Sequence, residues 1–390
     1  MAATYQGLDY YGIDALLTTE ERMVRDTVRD MVSSKIMPGI GKHFTAGTFP
    51  HELIATFGEM GLLGPSLTGY GCAGVSPTAY GLICQELERG DSGIRSFVSV
   101  QSSLVMYPIW AFGSEEQKQK YLPEMAAGRL IGCFGLTEPD FGSNPNGMLT
   151  KAERVAGGFK LNGTKRWITN GSIAQVALVW AKLDGVVRGF LVPTATPGFT
   201  ARELHGKWSL RASVTSELHM EDCIVGEEAM LPGVSGMRGP LSCLSQARFG
   251  ICYGAVGAAM ACYDEALKYA KDRVQFSKPI AGYQLVQNKL VVMVTEITKA
   301  QLMCYQLGRL KEANKLTPAQ ISLAKRNNVS IARDIARDAR DILGANGITD
   351  DYQCGRHMLN LASVYTNEGT HDIHALIVGQ DITGIAAFDS

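Results

Sequence analysis

Hydrophobic periodicity changes twice along this chain, and the order of those changes constrains the fold more than any other feature. Up to about Arg129 the chain reads as helices, and Thr18-x-x-Glu21 and Ser114-x-x-Gln117 each match a capping box ahead of a helical segment. From Ile131 to about Leu231 the pattern becomes strand-like. Asn162-Gly163, between Phe159-Lys-Leu161 and Arg166-Trp-Ile168, predicts a hairpin, followed by the runs Val176-Ala-Leu-Val-Trp180 and Gly189-Phe-Leu-Val192. After Pro240 the helical period returns, with Leu290, Met293, Ile297, Ala300, Cys304 and Leu307 on one stripe. A further helix opens at Thr317-Pro318-Ala319-Gln320, where N-cap, N1 proline and capping-box glutamine coincide, and Gly344 stops it near Leu343. The expected architecture is α+β, with a helical domain at 1–130, a β-domain at 131–240 and a helical bundle at 241–390. Alternating βαβ units have no room in it.

That order also removes a decoy. Gly69-Tyr-Gly71-Cys-Ala-Gly74 fits the dinucleotide pattern, but a helix-like stretch from Leu53 to Leu62 precedes it and Ser76-Pro77 opens a helix after it. At 390 residues two or three packed regions are expected. With 37 Lys+Arg against 38 Asp+Glu, nothing in the charge supports a nucleic-acid or membrane-surface partner, which leaves a small molecule. The nine cysteines form no C-x-x-C pair, so buried, reduced thiols are expected rather than a zinc site or disulfides. The N-terminus lacks the look of a secretory or transit signal, and no run of 18 apolar residues appears. A cytoplasmic chain, or a processed one from the mitochondrial matrix, is the expectation.

Near the C-terminus Glu368 directly precedes Gly369, whose missing Cβ lets a planar group approach the backbone. Taken alone it reads as a solvated loop carboxylate. Its company changes that reading. Phe134-Gly-Leu-Thr-Glu-Pro-Asp-Phe-Gly-Ser143, Trp167-Ile-Thr169, Asp272-Arg-Val-Gln-Phe276, Gly344-Ala-Asn-Gly-Ile348 and Glu368-Gly-Thr370 resemble, in order, the motifs of the acyl-CoA dehydrogenase family. Gly69-Tyr-Gly-Cys-Ala-Gly74, Glu86-Leu-Glu-Arg89, Asp91-Ser-Gly-Ile-Arg-Ser96, Val100-Gln-Ser-Ser-Leu-Val105 and Thr370-His-Asp-Ile-His374 are most similar to its glutaryl-CoA dehydrogenases.

The resemblance implies an FAD flavoprotein, usually a homotetramer, acting on an acyl-CoA and passing electrons to an electron-transfer flavoprotein. It implies flavin contacts from Phe134, Leu136, Thr137, Gly142, Ser143, Trp167, Ile168, Thr169 and Thr370. Arg273, Phe276, Gln284, Gly344, Asn346, Gly347 and Phe388 are implied to serve the rest of the cofactor, with Arg273 and Gln284 reaching it from a partner subunit. Glu368 matches the base that takes the α-proton, its backbone N–H donating to the thioester oxygen. Relatives that carry the base just before Arg248 find Ala247 there in this chain. Ser143, Leu241, Ser245, Arg248 and Gly369 match substrate positions along the CoA channel and at the thioester. Arg95 and Ser96 match contacts to a distal substrate carboxylate, with Glu88 one or two helical turns earlier.

One departure stands out. Decarboxylating members carry Tyr immediately before the base and Asn two residues earlier; here Asn367 and Tyr365 have exchanged places. The substrate expectation is therefore glutaryl-CoA, possible decarboxylation included, or a bulkier carboxylated thioester such as a substituted malonyl- or succinyl-CoA. A short-chain dehydrogenase or oxidase and a silent acyl-CoA-binding flavoprotein are the alternatives. His371-x-x-His374 suggests a metal by spacing alone, and the family implies none.

Overall fold

The computed structural model describes residues 5–387. Seven helices come first: α1 (Thr19–Met31), α2 (Met37–Ala46), α3 (Leu53–Glu59), α4 (Pro77–Gly90), α5 (Ser92–Ser99), α6 (Tyr107–Phe112) and α7 (Glu115–Ala126). Seven strands follow: β1 (Gly132–Gly135), β2 (Lys151–Val155), β3 (Gly158–Thr169), β4 (Val176–Leu183), β5 (Val186–Pro193), β6 (Phe199–Glu203) and β7 (Thr215–Gly226). The C-terminal part holds α8 (Arg238–Asp272), a small hairpin of β8 (Val274–Gln275) and β9 (Lys278–Pro279), then α9 (Gln284–Glu312), α10 (Pro318–Ile342), α11 (Cys354–Thr366) and α12 (His371–Thr383). Gly69 to Gly74 lie in the loop between α3 and α4, with no strand before them among the described residues.

Local signals set the helix starts. Both halves of the capping box form at Thr18/Glu21, Ser114/Gln117 and Thr317/Gln320, each satisfying two backbone N–H groups that a helix start otherwise leaves free. Gly344, at φ +59, follows the end of α10. The six-residue stripe of α9 is buried along its whole length, each large aliphatic side chain contributing on the order of 1.5–3 kcal/mol.

The sheet corrects one expectation: Asn162-Gly163 does not turn the chain. Residues 158–169 form a single strand, β3, and the register against β7 shifts between Leu161 and Gly163 as a bulge. Gly163 has φ +149, and a Cβ there would overlap Thr150. The turn lies at Ala156-Gly157, between the paired residues Val155 and Gly158. Asn162 bonds across to Asp222 on β7 through both its amide oxygen and its amide nitrogen. A distant strand thus decides which of two turn-prone dipeptides closes. The sheet order is β1-β4-β2-β3-β7-β6, with β5 beside β4, and β4 runs parallel to both β1 and β2.

Three cores result. One joins the N-terminal helices to the sheet and to Cys243 and Ala247 of α8, a second joins Tyr80 and Cys84 of α4 to α8–α11, and a third lies within the sheet region around Phe159, Phe190 and Leu218. Gly250, Gly254 and Gly257 make a ridge on α8 against α4: added Cβ atoms would meet Cys84 Sγ, Glu88 Oε2 and the Gln85 carbonyl. Close helix contact depends on this ridge, and it presses Glu88 into the interior. Every cysteine is a free thiol and all but Cys72 are buried. No helix among the described residues is long and apolar enough to cross a membrane.

Candidate active site

Glu368 lies in the link 367–370 between two helices whose ends are each tied off. The Asn367 N–H donates to the Ser363 carbonyl at the end of α11, and Thr370 Oγ1 caps α12 by accepting from the Ile373 N–H at 3.1 Å. Glu368 between them takes φ +55, which costs a non-glycine residue about 1–2 kcal/mol. Two buried cations hold it there. Lys325 Nζ donates to the carbonyls of Asn367 and of Gly369, the latter at 2.8 Å, and Arg248 Nε donates to the Glu368 carbonyl at 2.7 Å. Charge-assisted bonds contribute about 1.5–3 kcal/mol each, enough to offset the strain. Gly369 has φ +98, and a Cβ on it would come 2.9 Å from His374 Nε2 and 3.2 Å from Arg248 Nη2.

The Glu368 carboxyl is enclosed. Oε2 is fully occluded and has no hydrogen-bond partner among the described residues. Burial raises its proton affinity above the ordinary carboxylate value, while Lys325, Arg95 and Arg248, in that order, pull it back down. Lys325 is pushed down to about 7, chiefly by burial, with Glu368 opposing.

Arg95 and Glu88 form the second part of the site, and the structure corrects how they meet. The chain breaks between α4 and α5 at Asp91, with φ −166, so no shared helical turn relates them. Arg95 Nε nevertheless donates to Glu88 Oε2 at 2.7 Å, with the side chains 1% and 0% exposed. Burial works against the Arg95 charge, but Glu88 outweighs it and raises the arginine's basicity. Glu88 Oε1 and Arg95 Nη2 have no partner among the described residues. Asp91 accepts from Arg356 Nε at 3.0 Å and Asn360 Nδ2 at 2.8 Å. Thus the break carrying Arg95 is anchored to α11, the helix that delivers Glu368. Ser96 is buried beside Arg95 on α5.

Leu241, Ser245 and Arg248 follow one face of α8 from an exposed leucine through a partly covered serine to a buried arginine. They run along α8 from the surface to the Glu368 link, where Arg248 Nε meets the Glu368 carbonyl. In the β-domain, the Phe134, Leu136 and Ile168 side chains belong to the cores, which leaves their backbone for any ligand. Thr137 and Thr169 are partly covered, and Gly142 and Ser143 lie on an exposed loop. Trp167 is 58% exposed at φ +63, where β3 shifts register a second time. The ends of β1 and β3 meet through the Arg166 N–H to the Thr137 carbonyl, 2.9 Å. Leu136 shares a core with Ala247, one residue from Arg248.

Other expected residues gather elsewhere. Arg273 and Phe276, the latter 91% exposed, sit on the β8–β9 hairpin, and exposed Gln284 opens α9. Gly347 lines a groove with Gly41, Phe44 and Leu359 that does not include Glu368. Gly344 and Asn346 share its short helical turn, and Asn346 Nδ2 bonds to the Tyr269 hydroxyl at 3.0 Å. Phe388 lies outside the described residues. Among those residues no group of three His, Cys, Asp or Glu could hold a metal. His371 instead stacks on Tyr365, ring centroids 4.4 Å apart, and the Arg333 guanidinium stands 4.0 Å from the Tyr365 ring centre. His374 Nδ1 pairs with Ser322 Oγ at 3.0 Å, and burial, helped by Lys325 and Arg248, lowers its pKa to about 3.

Sequence reasoning missed Lys325. Ile321, Lys325, Asn328, Ala332, Ile335 and Ala339 form one buried stripe of α10, and a lysine inside such a stripe is the signal that would have found it.

Three family models match the chain in series: acyl-CoA dehydrogenase N-terminal domain over residues 18–129, middle domain over 133–223 and C-terminal domain over 235–383. A crystal structure of glutaryl-CoA dehydrogenase from Mycobacterium smegmatis is 56% identical, covers 97% of this chain and 98% of its own, and superposes with TM-score 0.96. A glutaryl-CoA dehydrogenase from the same organism in complex with FADH2 is 52% identical, covers 99% and 100%, and gives TM-score 0.97. The rat short-chain specific mitochondrial acyl-CoA dehydrogenase is 33% identical over 373 residues, 93% of this chain and 90% of that one.

Proposed function

Since the chain belongs to the acyl-CoA dehydrogenase family, we propose that it is an FAD-dependent oxidoreductase that desaturates glutaryl-CoA or a closely related carboxylated acyl-CoA. The observation that carries the reading is Glu368, a carboxylate whose occluded Oε2 has no partner among the described residues and which feels the charges of Lys325, Arg95 and Arg248. Arg95 Nη2 is buried without a partner among the described residues, so a substrate carboxylate gives that guanidinium a counter-charge beside Glu88. A purely apolar tail leaves Arg95 Nη2 without a partner.

Bound FAD supplies acceptance of the β-hydride at N5. The fit rests on Trp167, whose exposed indole is held by left-handed backbone and suits the face of a planar ring system, and on Thr137 and Thr169 as edge hydrogen-bonding groups. Glu368 takes the α-proton, and its raised proton affinity matches that task better than an ordinary carboxylate's would. The thioester oxygen meets the Glu368 N–H, which has no acceptor among the described residues. Leu241, Ser245 and Arg248 line the pantetheine path. Exposed Phe276 and Leu285 at the β8–β9 hairpin and the start of α9 are contact points for a further copy in a homotetramer. Arg273 and Gln284 then serve a neighbour's cofactor, and an electron-transfer flavoprotein accepts the electrons.

Asn367 favours a second reading. Its Oδ1 is buried with no partner among the described residues, while Tyr365 is turned into the stack of His371 and exposed Arg333. Such a site suits oxidation without efficient decarboxylation, or a bulkier carboxylated thioester. Anaerobic titration of the purified yellow protein tests both readings. Glutaryl-CoA or a branched diacid thioester is expected to bleach the flavin band faster than butyryl-CoA, and preference for butyryl-CoA removes the carboxylate reading.

A further inference from the structure

The Glu368 link is built from three consecutive peptides whose carbonyls are all gripped by buried cations: Lys325 holds those of Asn367 and Gly369, and Arg248 holds that of Glu368. A trans peptide is planar, with its N–H opposite its carbonyl. Gripping the Asn367 carbonyl from α10 therefore aims the Glu368 N–H away from α10, and no acceptor among the described residues takes it. The same face of α10 clamps the far side of the link, since Ser322, three residues before Lys325, holds His374 of α12. We infer that Lys325 is a positioning residue for the thioester: by holding the carbonyls on either side of Glu368 it presents the Glu368 N–H to the substrate carbonyl oxygen and keeps the base in its left-handed conformation. Lys325 itself touches neither substrate nor flavin in this role. The inference rests on the reading of Glu368 as the base and its N–H as the thioester donor, and deepens it.

Two readouts separate the inference from that reading. The first is the infrared stretch of the C1 carbonyl in 13C-labelled crotonyl-CoA bound to the flavin-loaded protein, which moves to lower frequency as donors polarise it. The second is the rate of flavin reduction by saturating acyl-CoA. Glu368→Gln keeps the backbone donor, so it is expected to retain the carbonyl displacement while losing reduction; reduction at the wild-type rate there sinks the base assignment itself. Lys325→Met is expected to keep flavin but lose most of the carbonyl displacement. Its reduction rate should fall about 10²-fold or more, the size of losing one oxyanion donor, with little change in KM. A wild-type carbonyl band and rate in Lys325→Met, or a raised KM at an unchanged rate, overturns the inference and leaves the base assignment standing. Should Lys325→Met not be recovered folded, Lys325→Gln decides. Its shorter amide cannot span both carbonyls, so a carbonyl band displaced less than in wild type together with a reduction rate below wild type supports the inference, and wild-type values of both overturn it.

Discussion

Replacing Arg95 by Gln is the perturbation that most directly probes the proposal of a carboxylated substrate, and its magnitude follows from two separable effects. Arg95 is 1% exposed and paired at 2.7 Å with Glu88, itself 0% exposed. Removing the arginine strands a buried carboxylate, at a cost of about 3–5 kcal/mol in stability. That cost is shared by every substrate. Losing a charge-assisted contact to the substrate carboxylate should cost a further 1.5–3 kcal/mol, roughly, which is about ten- to a hundredfold in kcat/KM and applies only to diacid thioesters. The assay therefore compares glutaryl-CoA with butyryl-CoA in wild type, Arg95→Gln, Glu88→Gln and the double variant. Thermal unfolding of each flavin-loaded protein is followed in parallel. The double variant should regain stability relative to Arg95→Gln, because no uncompensated charge remains, while its discrimination between the thioesters stays collapsed. Equal losses on both substrates, or a double variant as unstable as the sum of the singles, would refute the reasoning.

Three further outcomes are expected. Glu368→Gln should lower flavin reduction by about 10²–10⁴-fold, the worth of a positioned base. It should also raise stability near neutral pH. Burial lifts the Glu368 pKa above its unfolded value, so the stability its protonation contributes is present below the unfolded pKa and lost as pH rises through the folded one, a loss the amide avoids; unfolding midpoints measured across pH check the sign. Gly254→Ala should displace Glu88, whose Oε2 an added methyl would overlap, lowering the unfolding midpoint and the preference for glutaryl-CoA, and a variant unchanged in both contradicts the α4–α8 packing. Asn367→Tyr, combined with Tyr365→Asn, should shift glutaryl-CoA products from the unsaturated diacid thioester toward crotonyl-CoA and carbon dioxide, and stoichiometric decarboxylation already in the wild type counts against a role for Asn367.

Most of what was legible in the sequence is chemistry between near neighbours. The three capping boxes, the α9 stripe from Leu290 to Leu307 and the close of α10 before Gly344 each depend on residues a few positions apart, which bond or share a face once a helix forms. Glu368 was legible for a different reason. Its motif, and those of Thr137, Trp167 and Arg95, resemble a family whose sites are already understood, and composition or periodicity alone would have left it a loop carboxylate.

Tertiary structure decided what local signals leave open. Asn162-Gly163 and Ala156-Gly157 are both turn-prone, and pairing with β7, tied by Asn162 to Asp222, made the first a bulge and the second the turn. Glu88 and Arg95 stand seven residues apart on helices that break between them, and the glycine ridge of α8 pressed them into one buried pair. Lys325 is 43 positions from Glu368, yet packing of α10 against the α11–α12 link gives it two of that link's carbonyls. A sequence states which groups a helix face carries; which distant carbonyls or carboxylates that face will meet depends on how the faces pack, because burial and pairing energies exist only once the elements are in contact.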